Sequence, residues 1–168
     1  ITGSRSDIIL ADDIETPINT MTQLMRDRLS EGVKEFESVI KPEGKVIFLG
    51  TPQCEQSLYN ALPSRGYKKR IWTAKYPASQ QTEFFGKSLA PIIYNALELD
   101  PKLKDQPTEP TRFDEEDLSE REASYGRSQF ALQFMLDSRI SDANRYPLKL
   151  SDLIITSINP EKAYEKYV

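Results

Sequence analysis

Two short apolar runs, Ile8-Ile9-Leu10-Ala11 and Val46-Ile47-Phe48-Leu49, constrain this chain more than anything else in it. Neither alternates apolar with polar. Continuous runs of this length mark strands buried on both faces, as in parallel sheets. Between them, Met21, Leu24, Met25, Leu29, Val33, Phe36 and Ile40 recur at three- and four-residue steps, which predicts one amphipathic helix over residues 20–40. Thr20 and Gln23 fit a capping box at its start. Pro42 and Gly44 supply a stop. Strand, helix, strand is a βαβ unit, so the two strands should be parallel. Their carboxyl ends then share one sheet edge, the edge at which open α/β sheets bind ligands.

The residues expected at that edge are polar. Asp12, Asp13 and Glu15 follow the first strand, and Gly50-Thr51-Pro52-Gln53 follows the second. Adjacent carboxylates repel, and a divalent cation relieves that repulsion. A buried strand ending in Asp-acid is the Walker B pattern of phosphate-loop ATPases. There the first carboxylate, here Asp12, holds Mg²⁺ through water. The second, here Asp13, polarises the water that attacks the γ-phosphate. Glu15 competes with Asp13 for that role. A polar residue at the tip of the neighbouring strand, Thr51 or Gln53, can sense the γ-phosphate. The plainer alternatives are acids at a turn or helix start and a strand-ending Gly-Pro turn.

Composition narrows the chemistry further. The 168 residues include no histidine and a single cysteine, Cys54. That excludes a Ser-His-Asp triad, His-ligated zinc and an intrachain disulfide, and Cys54 is expected to be an inert thiol. The net charge of −4 gives no global attraction to DNA or to an anionic membrane. No apolar run approaches the ~20 residues of a membrane span. The chain begins at Ile1, in what reads as a loop, so a piece of a longer protein is expected.

Further along, residues 55–62 read as a short helix and residues 67–76 as a third strand. Lys68, Lys69 and Arg70 would form its solvated edge, and Trp72 would lie in the core. Residues 80–98 read as a helix with Phe84, Phe85, Leu89, Ile92, Ile93 and Leu97 inward, kinked or restarted at Pro91. A Pro- and charge-rich loop over residues 100–111 precedes a helix over residues 115–137. Asp114 should cap it, with Phe113 and Leu118 stapled across the cap. The acids around Asp114–Asp117 read as a helix N-terminus. Residues 138–147 read as a loop, and 148–158 as an apolar element of undetermined type.

The segments GSRSDIILADDIE, VIFLGTPQ, RGYKKRIWTAKYP, RFDEEDLSEREASYG, FALQFMLD and DANRYPLKL, in that order, resemble the large terminase subunit of short-tailed tailed phages, also called DNA maturase B. The resemblance implies an ATP-driven motor that threads double-stranded DNA into a procapsid, with a separate nuclease that cuts the concatemer. It implies part of a RecA-like parallel sheet of the phosphate-loop NTPase class, flanked by helices and followed by a mainly helical linker subdomain. It divides the chain into the C-terminal half of an ATPase domain (1–99), the loop and helix of a linker subdomain (100–147) and a connector (148–168) toward a nuclease. By resemblance Asp12 and Asp13 are the Walker B acids, and LGTPQ is a coupling motif with Thr51 nearest the nucleotide and Gln53 behind it. ATP and Mg²⁺ are the implied substrate and cofactor. Implied partners are double-stranded DNA, the procapsid portal, the small terminase subunit and further copies in a ring, working in the host cytoplasm with no membrane. The family's GxxxxGK[ST] loop does not occur in these residues, nor do its nuclease acids, so the chain alone is expected to be inactive. The rival readings are a helicase-type RecA-like ATPase and a non-catalytic interaction module.

Overall fold

The structure, a computed structural model, describes residues 5–139. Strand β1 (Ser6–Asp12) and strand β2 (Ile40–Leu49) form a two-stranded parallel sheet, as the βαβ reading requires. Helices α1 (Gln23–Gly32) and α2 (Glu35–Val39) connect them. Along the apolar runs the register is regular, Ile8 opposite Lys45 through Asp12 opposite Leu49. Before it, Ser6 pairs with Ile40, so the start of β2 bulges. Pro42 and Gly44 lie within that bulged start. The helix has already ended at Val39, because a residue before proline resists helical geometry.

The single helix expected over residues 20–40 is therefore two. Its N-cap is Thr22, whose hydroxyl accepts from the Met25 N–H at 3.3 Å. Thr20 is fully buried in the preceding turn, its hydroxyl donating to the Thr16 carbonyl at 2.8 Å. That earlier commitment is why Thr20 is not the cap. Only the second half of the apolar stripe points inward. Leu29, Val33 and Phe36 pack with Phe48 of β2 and with Leu58, Tyr59 and Leu62, whereas Met21, Leu24 and Met25 are exposed.

After β2 come α3 (Leu58–Ala61) and a tight turn over Leu62–Arg65. Residues 67–76 form no strand. Their backbone groups pair singly with separate loops: Ile71 with Ser88 and Ala90, Ala74 with Phe134 and Thr108, Tyr76 with Gln106 and Asp105. No neighbouring strand lies along this segment among the described residues, so its extended backbone serves as a spine between loops. Lys68 and Arg70 are consequently exposed on a loop rather than on a strand edge, and Trp72 is 60% exposed rather than core.

The restart expected at Pro91 is present: helices α4 (Ser79–Phe85) and α5 (Pro91–Leu99) divide residues 80–98, with Pro91 in the first turn of α5. A proline there costs no hydrogen bond, since that N–H would be unpaired anyway. Phe85, Leu89, Ile93 and Leu97 form a second core with Ile71, but Phe84 and Ile92 face outward. Helix α6 (Glu115–Gln133) is interrupted at Gly126, whose φ of 74° is not helical, so the one helix expected over residues 115–137 is two pieces that stop at Gln133. Its first piece carries a full capping box. The Asp114 carboxylate accepts from the Asp117 N–H at 2.9 Å, and the Asp117 side chain accepts from the Asp114 N–H at 3.4 Å. Leu118, with Phe113 against it, joins Phe130 and Met135 in a third core. The element expected over residues 148–158, and the connector, lie outside the described residues.

Candidate functional site

The two turns at the carboxyl edge of the sheet lock together. Asp12 is the last residue of β1, opposite Leu49, and is exposed. Asp13 follows with φ 45°, a left-handed conformation that Asp tolerates better than most residues. Its carboxylate is exposed, and its N–H still donates to the Leu49 carbonyl at 3.0 Å. Gly50 answers on the other side with φ 151°. A Cβ there would stand 2.1 Å from the Tyr59 hydroxyl oxygen, so only glycine fits. Tyr59 takes up that space and donates its O–H to the same Leu49 carbonyl, at 3.0 Å.

Glu15 is 4% exposed and saturated with donors. Its carboxylate accepts from the Gln53 N–H at 3.2 Å, the Ser57 hydroxyl at 2.8 Å and the Leu58 N–H. Burial of a charge is tolerated when hydrogen bonds satisfy it in this way. The structure thus joins Glu15 directly to Gln53, and Asp13 to the residue before Gly50. The Gln53 side-chain amide donates to the Thr51 carbonyl at 3.2 Å, closing that turn on itself. Burial pushes the Tyr59 pKa above its ordinary 10.0, and the charges of Glu15 and Asp13 push the same way.

A second layer braces the acidic turn. Asn19 donates to the Ile14 carbonyl at 2.8 Å and accepts from the Thr16 N–H at 2.8 Å. Arg26 reaches from α1 to the Thr20 carbonyl at 2.7 Å and to Gln56 at 2.6 Å. Sequence reasoning missed Ser57, Tyr59 and Arg26. Ser57 had a local signal, a serine just before Leu58-Tyr59, and it does cap α3 by accepting from the Tyr59 N–H. Tyr59 and Arg26 had none, because their partners lie in other turns.

The remaining basic residues lie elsewhere. Arg5 is at the amino end of β1 and donates to the Ser38 carbonyl at 3.2 Å. Lys69 donates to Asn60 at 2.9 Å, and burial pulls its pKa below the ordinary 10.5. Lys68, Lys69 and Arg70 line a cavity of about 880 Å³ together with Ile47, Phe48 and Phe85. Cys54 is buried.

No group of three or more acids, cysteines or histidines forms a metal cage among the described residues. Mg²⁺ does not need one. It keeps most of its water and takes one or two carboxylates plus phosphate oxygens. The hard oxygens of Asp12 and Asp13, exposed at a fixed strand end, fit that pattern.

A parallel α/β strand pair with an acidic carboxyl edge, followed by helices, has the form of part of a RecA-like sheet with its helical extension. No family model matches the sequence. The chain is, however, 47% identical over 175 residues to the large terminase subunit of Enterobacteria phage T3, an alignment that takes in 99% of this chain and 29% of that protein. The resemblance to large terminase subunits is thereby borne out along the whole sequence, and the chain spans less than a third of the relative's length.

Proposed function

We propose that this chain supplies the acidic wall and the coupling turn of an ATP-driven motor that packages double-stranded DNA into procapsids. The observation that carries the reading is the Asp12–Asp13 pair at the carboxyl end of a parallel strand, hydrogen-bonded to the strand that leads into Gly50–Gln53. The relationship to a phage terminase subunit supports the same reading. Asp12 would hold Mg²⁺ through water, and Asp13 would orient the attacking water. Thr51, nearest the nucleotide, and Gln53 behind it would pass the phosphate state to the rest of the molecule. Bound Mg²⁺ would neutralise charge that develops on the phosphates. Glu15, already accepting from three donors, is not available to activate water.

The intact protein would work as a ring on the procapsid portal in the host cytoplasm, assisted by a small terminase subunit, with its nuclease in a separate domain. The phosphate-binding loop is not among these residues, so the purified 1–168 chain should turn over no ATP. In the full-length protein, Asp13→Asn should abolish ATP hydrolysis while binding of a non-hydrolysable Mg-ATP analogue survives. Turnover that survives the change would remove Asp13 from the chemistry. Stimulation of the ATPase by procapsids, without strand separation, distinguishes a packaging motor from a helicase.

A further inference from the structure

The hydrogen bonds around Glu15 close into a ring. The Asp13 N–H and the Tyr59 O–H both donate to the Leu49 carbonyl, each at 3.0 Å. The Tyr59 N–H donates to the Ser57 hydroxyl oxygen at 3.1 Å. The Ser57 hydroxyl donates to Glu15, which also accepts from the Gln53 N–H. Glu15 is two residues from Asp13, so the ring returns to its start. Ser57, Leu58 and Tyr59 are buried with it.

We propose that Glu15 and Tyr59 are positioning residues that make the Asp13 turn and the Gly50–Gln53 turn move as one body, so that a displacement of Thr51 or Gln53 is felt at the Asp13 carboxylate. This rests on the reading of Asp13 and Thr51–Gln53 given above, but its failure is separable from that of the reading. Glu15 acts in the ring purely as an acceptor. All three of its partners donate, and the proton of Ser57 is directed to it because the Ser57 oxygen accepts from Tyr59. Glu15→Gln would set an N–H₂ group either against the Gln53 N–H, opening the ring, or against the Leu58 N–H beside it, and in both cases a buried donor loses its acceptor. Tyr59→Phe opens the ring on the other side, at the Leu49 carbonyl, and keeps the aromatic packing.

The test uses the full-length protein with procapsids and DNA, comparing Glu15→Gln, Tyr59→Phe and Asp13→Asn. Both ring variants should lower kcat by about 10-fold or more, since misplacement of a reacting group by an ångström costs on the order of 100-fold. Affinity for a Mg-ATP analogue should stay unchanged, and both variants should move fewer base pairs per ATP hydrolysed. A residue that only stabilised the fold would lower Tm and leave the base pairs moved per ATP at the wild-type value. That result in both variants overturns the proposal. So does loss of turnover in Glu15→Gln with a fully active Tyr59→Phe, because Glu15 would then act in the chemistry itself. If Glu15→Gln does not fold, Tyr59→Phe alone decides between these outcomes. Asp13→Asn tests only the site assignment and leaves the ring to be judged by the other two.

Discussion

At Gly50 a single missing carbon lets the two turns at the sheet edge meet. The φ of 151° is open to glycine, and a Cβ would collide with the Tyr59 ring as well as with its hydroxyl. Gly50→Ala should therefore cost at least about 1–3 kcal/mol, the range of a strained backbone residue, read as a lower midpoint in urea unfolding. The Gly50→Ala/Tyr59→Ala double variant should cost less than the sum of the two single losses, because the collision is then gone. Asp137 makes a second residue-scale case. It is almost fully buried, and burial alone would raise its pKa, but hydrogen bonds from the Arg139 guanidinium at 2.9 and 2.7 Å outweigh this and bring it below 3.8. A carboxyl depressed in the folded state contributes stability that is present above its unfolded pKa and is lost as pH falls through the folded one. In Arg139→Ala the buried carboxylate loses that support, so acid unfolding should begin at a higher pH than in the wild type, measured by circular dichroism between pH 2 and about 5.

At the scale of elements, the start of helix α6 was the most legible, since its cap and staple are encoded within a few residues of each other, whereas the break at Gly126 was not legible. Asp114→Ala should cost about 1 kcal/mol, and Asp114→Asn, which keeps an accepting oxygen, should cost less. Thermal unfolding compares the two. The strand pair and its parallel sense were legible for a similar reason: two apolar runs with a helical stretch between them leave few topologies. The failures have one physical source, a tertiary partner that local pattern does not name. Thr20 has the composition of a cap, but a turn centred on Thr16–Asn19 claims it first. Residues 67–76 have the composition of a strand, but a strand needs a ladder, and Ile71, Ala74 and Tyr76 each find a different loop. Trp72 follows from that correction, being outward on an extended segment between buried Ile71 and Thr73. At the site, the positions of Asp12, Asp13, Thr51 and Gln53 at one edge were legible from strand order. The saturation of Glu15 was not, because Ser57 and Leu58 lie 42 and 43 residues away in sequence.

Over the whole molecule, the unequal treatment of the sheet's two faces matters most. Ile9, Ala11, Val46 and Phe48 turn toward the helices, with Phe48 in the core that Val33 and Leu58 build. On the opposite face Ile8 is 64%, Leu10 59%, Ile47 41% and Leu49 48% exposed. The apolar runs are continuous, the pattern of strands covered on both sides, yet among the described residues only one side is covered. The register puts Leu10 beside Ile47, so the exposed side chains form one contiguous patch. Such a patch drives association in a chain studied alone. The purified 1–168 chain should therefore sediment as larger species with rising concentration and bind a hydrophobic dye. Leu10→Lys with Ile47→Lys should reduce both effects, since each lysine adds a charge that resists burial without touching the helix-covered face. If the double variant associates as strongly as the wild type, the exposed sheet face is not what brings the copies together.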